Sequence, residues 1–216
     1  MRILISGFEA FGGDTINPTH LLIEELQGGR IAIPPETIID TLLLPVGFEN
    51  AFEVLRARIE KFRPDVVLAL GQAGGRDAIE FERVAINLID AEVPDNNGLQ
   101  PQGVPIDPEG PVAFFSTLPV RELADDVIAN GISARISNSA GLYVCNFLFY
   151  KLQHYLSKTV SGPDDSNDFN GSNVRSGFIH FPYLPEKAVK HPAGTASMPL
   201  ETMKRALAVI VTTIRK

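Results

Sequence analysis

Two short apolar runs, RILIS at residues 2–6 and DVVLALG at residues 65–71, constrain the fold of this chain most. Each is apolar at nearly every position, so each reads as a strand buried on both faces, as in parallel sheets covered by helices. Between them, Asn17 and Pro18 precede THLLIEELQGG, which puts Leu21, Leu22 and Leu26 on one helical face before a glycine stop. TLLLPV at 41–46 reads as a further strand and residues 48–62 as an amphipathic helix. This alternation of strand and helix predicts βαβ units and an open, mostly parallel sheet with helices on both faces.

The pattern continues downstream. RVAINLID at 83–90 reads as a strand, with Val84, Ile86 and Leu88 alternating against more mixed neighbours. A helix is expected over 120–130, a strand in ISARISN, a strongly apolar helix over 143–156, a strand in GFIHFP and a closing helix over 200–214. Residues 158–176 are crowded with Ser, Asn, Asp and Gly and are expected to form a mobile surface loop. The whole of 1–216 reads as one α/β domain. The loops GFEAFGG, GQAGGR and FPYLP all follow predicted strands, so they should converge on one rim, where ligands of such sheets sit.

Composition removes several functions. The chain has 216 residues with 26 acidic against 19 basic, a formal charge of −7, and no basic block, so neither nucleic acid nor a membrane surface is an expected partner. No window approaches ~18 consecutive apolar residues, and MRILISGF lacks the features of a secretory signal. A single cysteine makes no internal disulfide and fits a reducing, cytoplasmic setting. The P-loop, GxGxxG, HExxH and GxSxG patterns are missing.

What remains is the thiol of Cys145, four histidines and the carboxylates. A lone cysteine in an apolar helix is more often a small core hydrophobe than a nucleophile. Here, however, SNSAG stands just before the helix and places Cys145 in its first turn, where free N–H groups and the helix dipole favour a thiolate and can hold an oxyanion. A catalytic thiol needs a base. His154 lies nine residues along the same helix, ~13 Å away. His20 is expected on a helix surface and His191 in an exposed loop. His180 ends a strand on the rim where the cysteine helix starts. For a carboxylate partner, spacing leaves Glu80, Glu82 and Asp77 as rivals.

With these residues in view, the chain resembles the pyroglutamyl peptidase I (pyrrolidone-carboxylate peptidase) family of cysteine peptidases. The matching stretches run in order along nearly the whole chain: GFEAFGG with INPT, GQAGGR, ERVAINLIDAEVPDN, SNSAGLYVCNFLFYKL, GFIHFPYLPEKA and ASMPL. The resemblance implies a three-layer α/β/α sandwich, no cofactor, a homo-oligomer (tetramer or dimer), and removal of N-terminal pyroglutamyl residues from peptides. It implies Cys145 as nucleophile, His180 as base and Glu82 as the third member. It also implies substrate contacts from Phe8, Phe11, Gln72 and Val144, with Asn17 as a further pocket residue or loop anchor.

Two features depart from the family pattern. Where the family usually reads DARIPDN, this chain reads DAEVPDN, with Glu92 in place of an arginine thought to help near the oxyanion. The segment 158–176 is also longer than usual between cysteine and histidine. Two rival functions fit parts of the sequence: a phosphorylase-like enzyme with GQAGGR cradling phosphate, and a non-catalytic binder of lactam ends in which Glu92 marks lost activity.

Overall fold

Burial on both faces is what the central strands require, and the structure supplies it. In the computed structural model, which describes residues 1–158 and 171–215, all seven residues of β3 (Val66–Gln72) are buried. Each Val or Leu removed from water there contributes roughly 1.5–3 kcal/mol. β3 sits inside a six-stranded sheet with β1 (Arg2–Phe8), β2 (Ile38–Leu44), β4 (Ile79–Glu82), β7 (Ala134–Ser137) and β8 (Arg175–Phe181). The order is β2-β1-β3-β8-β4-β7. β2, β1, β3 and β8 run parallel, β4 is antiparallel to β8, and β7 is parallel to β4.

The strand residues divide between two cores. Ile3, Ile5, Leu68, Phe81 and Ile179 pack on one face with α1 (Pro18–Gln27), α3 (Val120–Ala129) and α6 (Leu200–Ile214). Leu4, Phe8, Val67, Ala69 and Phe178 pack on the other with α2 (Ala51–Phe62) and α4 (Val144–Lys158). The result is the three-layer α/β/α sandwich with a mostly parallel sheet. Among the described residues, no helix is long and apolar enough to cross a membrane.

One strand is not where periodicity puts it. The expected strand at 83–90 shrinks to β5 (Val84–Ile86), which leaves the main sheet and pairs with β6 (Ala113–Phe115) in a two-stranded ribbon. Its place in the main sheet is taken by β4, whose sequence IEFE reads as too acidic for a buried strand. Glu80 and Glu82 are nevertheless 5% and 0% exposed, because arginines and a histidine meet them there. A short helix, α5 (Pro185–Ala188), follows β8 and was not apparent in the sequence. Of the loop expected at 158–176, residues 159–170 lie outside the described residues, while Arg175 and Ser176 already belong to β8.

Candidate active site

β1, β3 and β8 end on the same side of the sheet, so GFEAFGG, GQAGGR and FPYLP do share a rim. Cys145 is the second residue of α4 and half-buried. The first N–H groups of a helix have no intrahelical acceptor, so this turn presents donors beside the thiol. Gly141, with φ of +78°, lets the chain swing into the helix. The start of α4 is pinned by Asn146, whose Oδ1 accepts from Ile86 N–H at 3.0 Å. Its Nδ2 donates to the carbonyls of Ile86 and Leu88 at 2.9 and 3.0 Å. A polar residue heading the run NFLFY on a buried helix face was the available signal for this role.

His180 is the penultimate residue of β8 and 3% exposed. Its Nδ1 lies 2.7 Å from Oε1 of Glu82, which leaves Nε2 for the cysteine. Burial pulls the imidazole pKa down. The charge of Cys145 and hydrogen bonds to Cys145 and Glu82 outweigh that, pushing it up to about 9. Gly71 faces His180 in the β3–β8 register, and a Cβ there would come within 3.0 Å of the imidazole. The glycine is what lets the ring sit close to the strand.

The three carboxylate rivals are separated by register. Glu80 is directly opposite His180, and Glu82 is opposite Phe178, one diagonal step deeper on the same face. Glu80 turns away to Arg135, at 2.7 Å, and Arg76. Asp77 is largely exposed and pairs with Arg135 at 2.7 Å, which lowers its pKa. Glu82 alone bonds the imidazole, and Oε1 also accepts from Arg76 at 2.9 Å. Arg76 further donates to the Ser139 carbonyl at 3.2 Å, tying GQAGGR to the segment before the cysteine helix. Its part in this array was not visible in the sequence, although GQAGGR was singled out.

The other histidines are elsewhere. His154 pairs with Asp107 at 3.2 Å and stacks on Phe114, His20 meets Glu24, and His191 is exposed and stacked on Tyr183.

A narrow slot beside Cys145 is lined by Phe8, Phe11, Asn17, Val46, Gln72, Tyr143 and Val144. All the sequence-derived pocket residues therefore meet there, and Val46 and Tyr143 join them. The ring of Tyr143 stands 6.1 Å from Phe11 and 5.5 Å from Phe48, and its hydroxyl donates to Pro94 O at 3.0 Å. Burial, reinforced by Asp95 and Cys145, lifts its pKa to about 12, so it lines the slot as a neutral phenol. Asn17 is committed internally. It caps α1 by accepting from Thr19 N–H at 3.0 Å and donates to the Glu9 carbonyl at 2.9 Å. It is the loop anchor rather than a free amide in the slot. Glu92 is exposed and borders an open groove shared with Gly141 and Tyr143, so its charge is solvated.

A thiol at a helix N-terminus, beside an imidazole that is itself held by a buried carboxylate, is equipped for acyl transfer. A family model described as pyroglutamyl peptidase matches residues 1–216. A pyrrolidone-carboxylate peptidase 1 of Photorhabdus laumondii is 44% identical over 97% of this chain and 90% of its own length. One of Gloeobacter violaceus is 42% identical over 100% and 97%. Pyroglutamyl peptidase I of Bacillus amyloliquefaciens superposes with a TM-score of 0.88 at 37% identity, covering 99% of this chain and 94% of that one. A mutant pyrrolidone carboxyl peptidase of Pyrococcus furiosus does so with a TM-score of 0.88 at 38% identity, covering 100% and 98%. Matched along its whole length in sequence and fold, this chain belongs to the pyroglutamyl peptidase family.

Proposed function

We propose that this protein hydrolyses the amide bond that follows an N-terminal pyroglutamyl residue, with Cys145 as nucleophile, His180 as acid and base, and Glu82 as the group that orients His180. The observation that carries this reading is the Cys145–His180–Glu82 array at the lip of an apolar slot. Sulfur attacks the pyroglutamyl carbonyl carbon, and the first-turn N–H groups of α4 hold the developing oxyanion. As the C–N bond breaks, His180 passes its proton to the leaving amine and a thioester remains. Water then adds to the thioester, giving a proton to His180, and free pyroglutamate leaves as the thiol is restored.

The slot suits a ring without charge. The pyroglutamyl nitrogen is tied up in a lactam, so no ammonium needs an anionic partner. Phe8, Phe11, Tyr143 and Val144 offer apolar surface, and Gln72 offers hydrogen bonding. Neither the phosphorylase-like nor the binding-only alternative accounts for a thiol paired with an oriented imidazole. The reading extends to a single functional domain over 1–216 and to the cytoplasm, in keeping with one unpaired cysteine. It also includes a homo-oligomer, to which the exposed Phe115 of the β5–β6 ribbon and Val112 just before β6 lend apolar surface.

The test is hydrolysis of a pyroglutamyl fluorogenic amide by the reduced protein, with and without iodoacetamide, and by Cys145→Ser. Release that iodoacetamide and Cys145→Ser both abolish, with the fold intact by circular dichroism, is the expected result. Release that persists in Cys145→Ser overturns the nucleophile assignment, and no release from the folded wild type overturns the reaction.

A further inference from the structure

Lys187, in the four-residue helix α5, is only 4% exposed, although it carries a flexible charged chain. Burying an ammonium is costly unless it is paired. Its Nζ donates to Asp14 at 2.5 Å and to Oε1 of Gln72 at 2.9 Å. It also lies over the rings of Tyr183 and Phe11, at 4.7 and 5.6 Å from their centroids. One ammonium thereby ties together three rim segments: the loop after β1, the end of β3 and the segment after β8.

The contact with Gln72 determines which way a carboxamide points. An ammonium has donors and no acceptor, so the side-chain oxygen of Gln72 must be the atom that faces Lys187. Its NH₂ group is then turned the other way. Gln72 lines the slot beside Cys145, and among the described residues its Nε2 has no hydrogen-bond partner. Asn17, the other carboxamide of the slot, is committed to Thr19 and Glu9 and cannot take this part.

We propose that Lys187 is a positioning residue that fixes the Gln72 carboxamide as a donor into the slot, so that the slot reads the ring carbonyl oxygen of a lactam. This deepens the pyroglutamyl reading of the same slot and rests on it. A ring with no carbonyl, such as a prolyl end, would leave Nε2 unpaired and be rejected on that ground.

The probe is 2-pyrrolidone, the bare lactam, titrated into wild type, Lys187→Met and Gln72→Glu, with the Gln72 side-chain amide followed by NMR in the first two. In wild type the Gln72 NH₂ signals should shift saturably. Lys187→Met should weaken binding about tenfold or more, the scale of one well-placed hydrogen bond lost with its orientation. Gln72→Glu keeps the partner of Lys187 and so preserves the fold, but it presents only oxygens and should lose binding as well. It decides the matter if Lys187→Met does not fold. On a pyroglutamyl amide, Lys187→Met should raise KM while kcat stays within about threefold, a split that general loosening would not give. Unchanged 2-pyrrolidone affinity in either variant overturns the proposal. Lactam binding is read without turnover, so an inactive wild type would refute the proposed reaction and leave this role to be decided by the titration.

Discussion

Nδ1 of His180 and Oε1 of Glu82 lie 2.7 Å apart, although the residue directly opposite His180 in the sheet is Glu80. The pairing is diagonal. Two arginines draw Glu80 aside, and the deeper carboxylate is left to hold the imidazole. In Glu82→Gln the amide oxygen, also held by Arg76, would still meet Nδ1, but the negative charge that stabilises the imidazolium would be gone. A loss of kcat on the order of 10²–10⁴-fold is expected from impaired acid–base catalysis by His180. Glu80→Gln should cost far less. Steady-state kinetics of the two variants separate them, and a larger loss for Glu80→Gln would reverse the assignment.

The imidazole of His180, raised from 6.5 to about 9, makes stability depend on pH. Between those values the folded chain holds a proton that the unfolded chain has released, so stability falls as pH rises. The contribution of His180 is full below about pH 6.5 and is lost as pH climbs through about 9. Denaturant unfolding across that window should show the decline. Cys145→Ala removes the largest raising influence, so the imidazole midpoint followed by NMR should drop well below its wild-type value. An unmoved midpoint would mean that the sulfur does not hold the proton in place.

Gly71 gives His180 its room. A Cβ there would come within 2.5 Å of the Phe178 ring, which is buried against Phe8 and Phe149 and has nowhere to turn. Gly71→Ala should destabilise the fold by about 1–3 kcal/mol through overpacking. It should also lower kcat by at least about tenfold by displacing the base. Melting curves and kinetics on one preparation test both. A variant as active as wild type would show that the imidazole tolerates displacement.

Glu92 borders a groove that also contains Gly141 and Tyr143, which flank the start of the cysteine helix. Its exposed carboxylate opposes negative charge developing at the oxyanion, but through water. Glu92→Arg should therefore raise kcat/KM only a few-fold, with the gain shrinking as salt screens it. Rates at low and high ionic strength measure this. A gain of many orders of magnitude would show that the wild-type site is crippled by this residue.

The alternating apolar runs and the amphipathic stretches between them determined the layers, the parallel core of the sheet and the rim where the loops meet. These are consequences of local pattern, because a strand apolar at every position has only one kind of place to go. Cys145 and His180 were legible for the same reason, each standing at the end of a strongly patterned element. The acidic partner was named only through the family resemblance, local pattern leaving Glu80, Glu82 and Asp77 as rivals, and the β4 strand and Lys187 were not legible. Glu80, Glu82 and Lys187 carry charges whose burial is tolerable only beside counter-charges from distant segments, namely Arg76, Arg135, His180 and Asp14. Local sequence scores such residues as solvent-facing. Only the tertiary structure brings the opposite charges within a few ångströms, where Coulomb attraction and hydrogen bonds offset the lost hydration and decide which carboxylate holds the histidine.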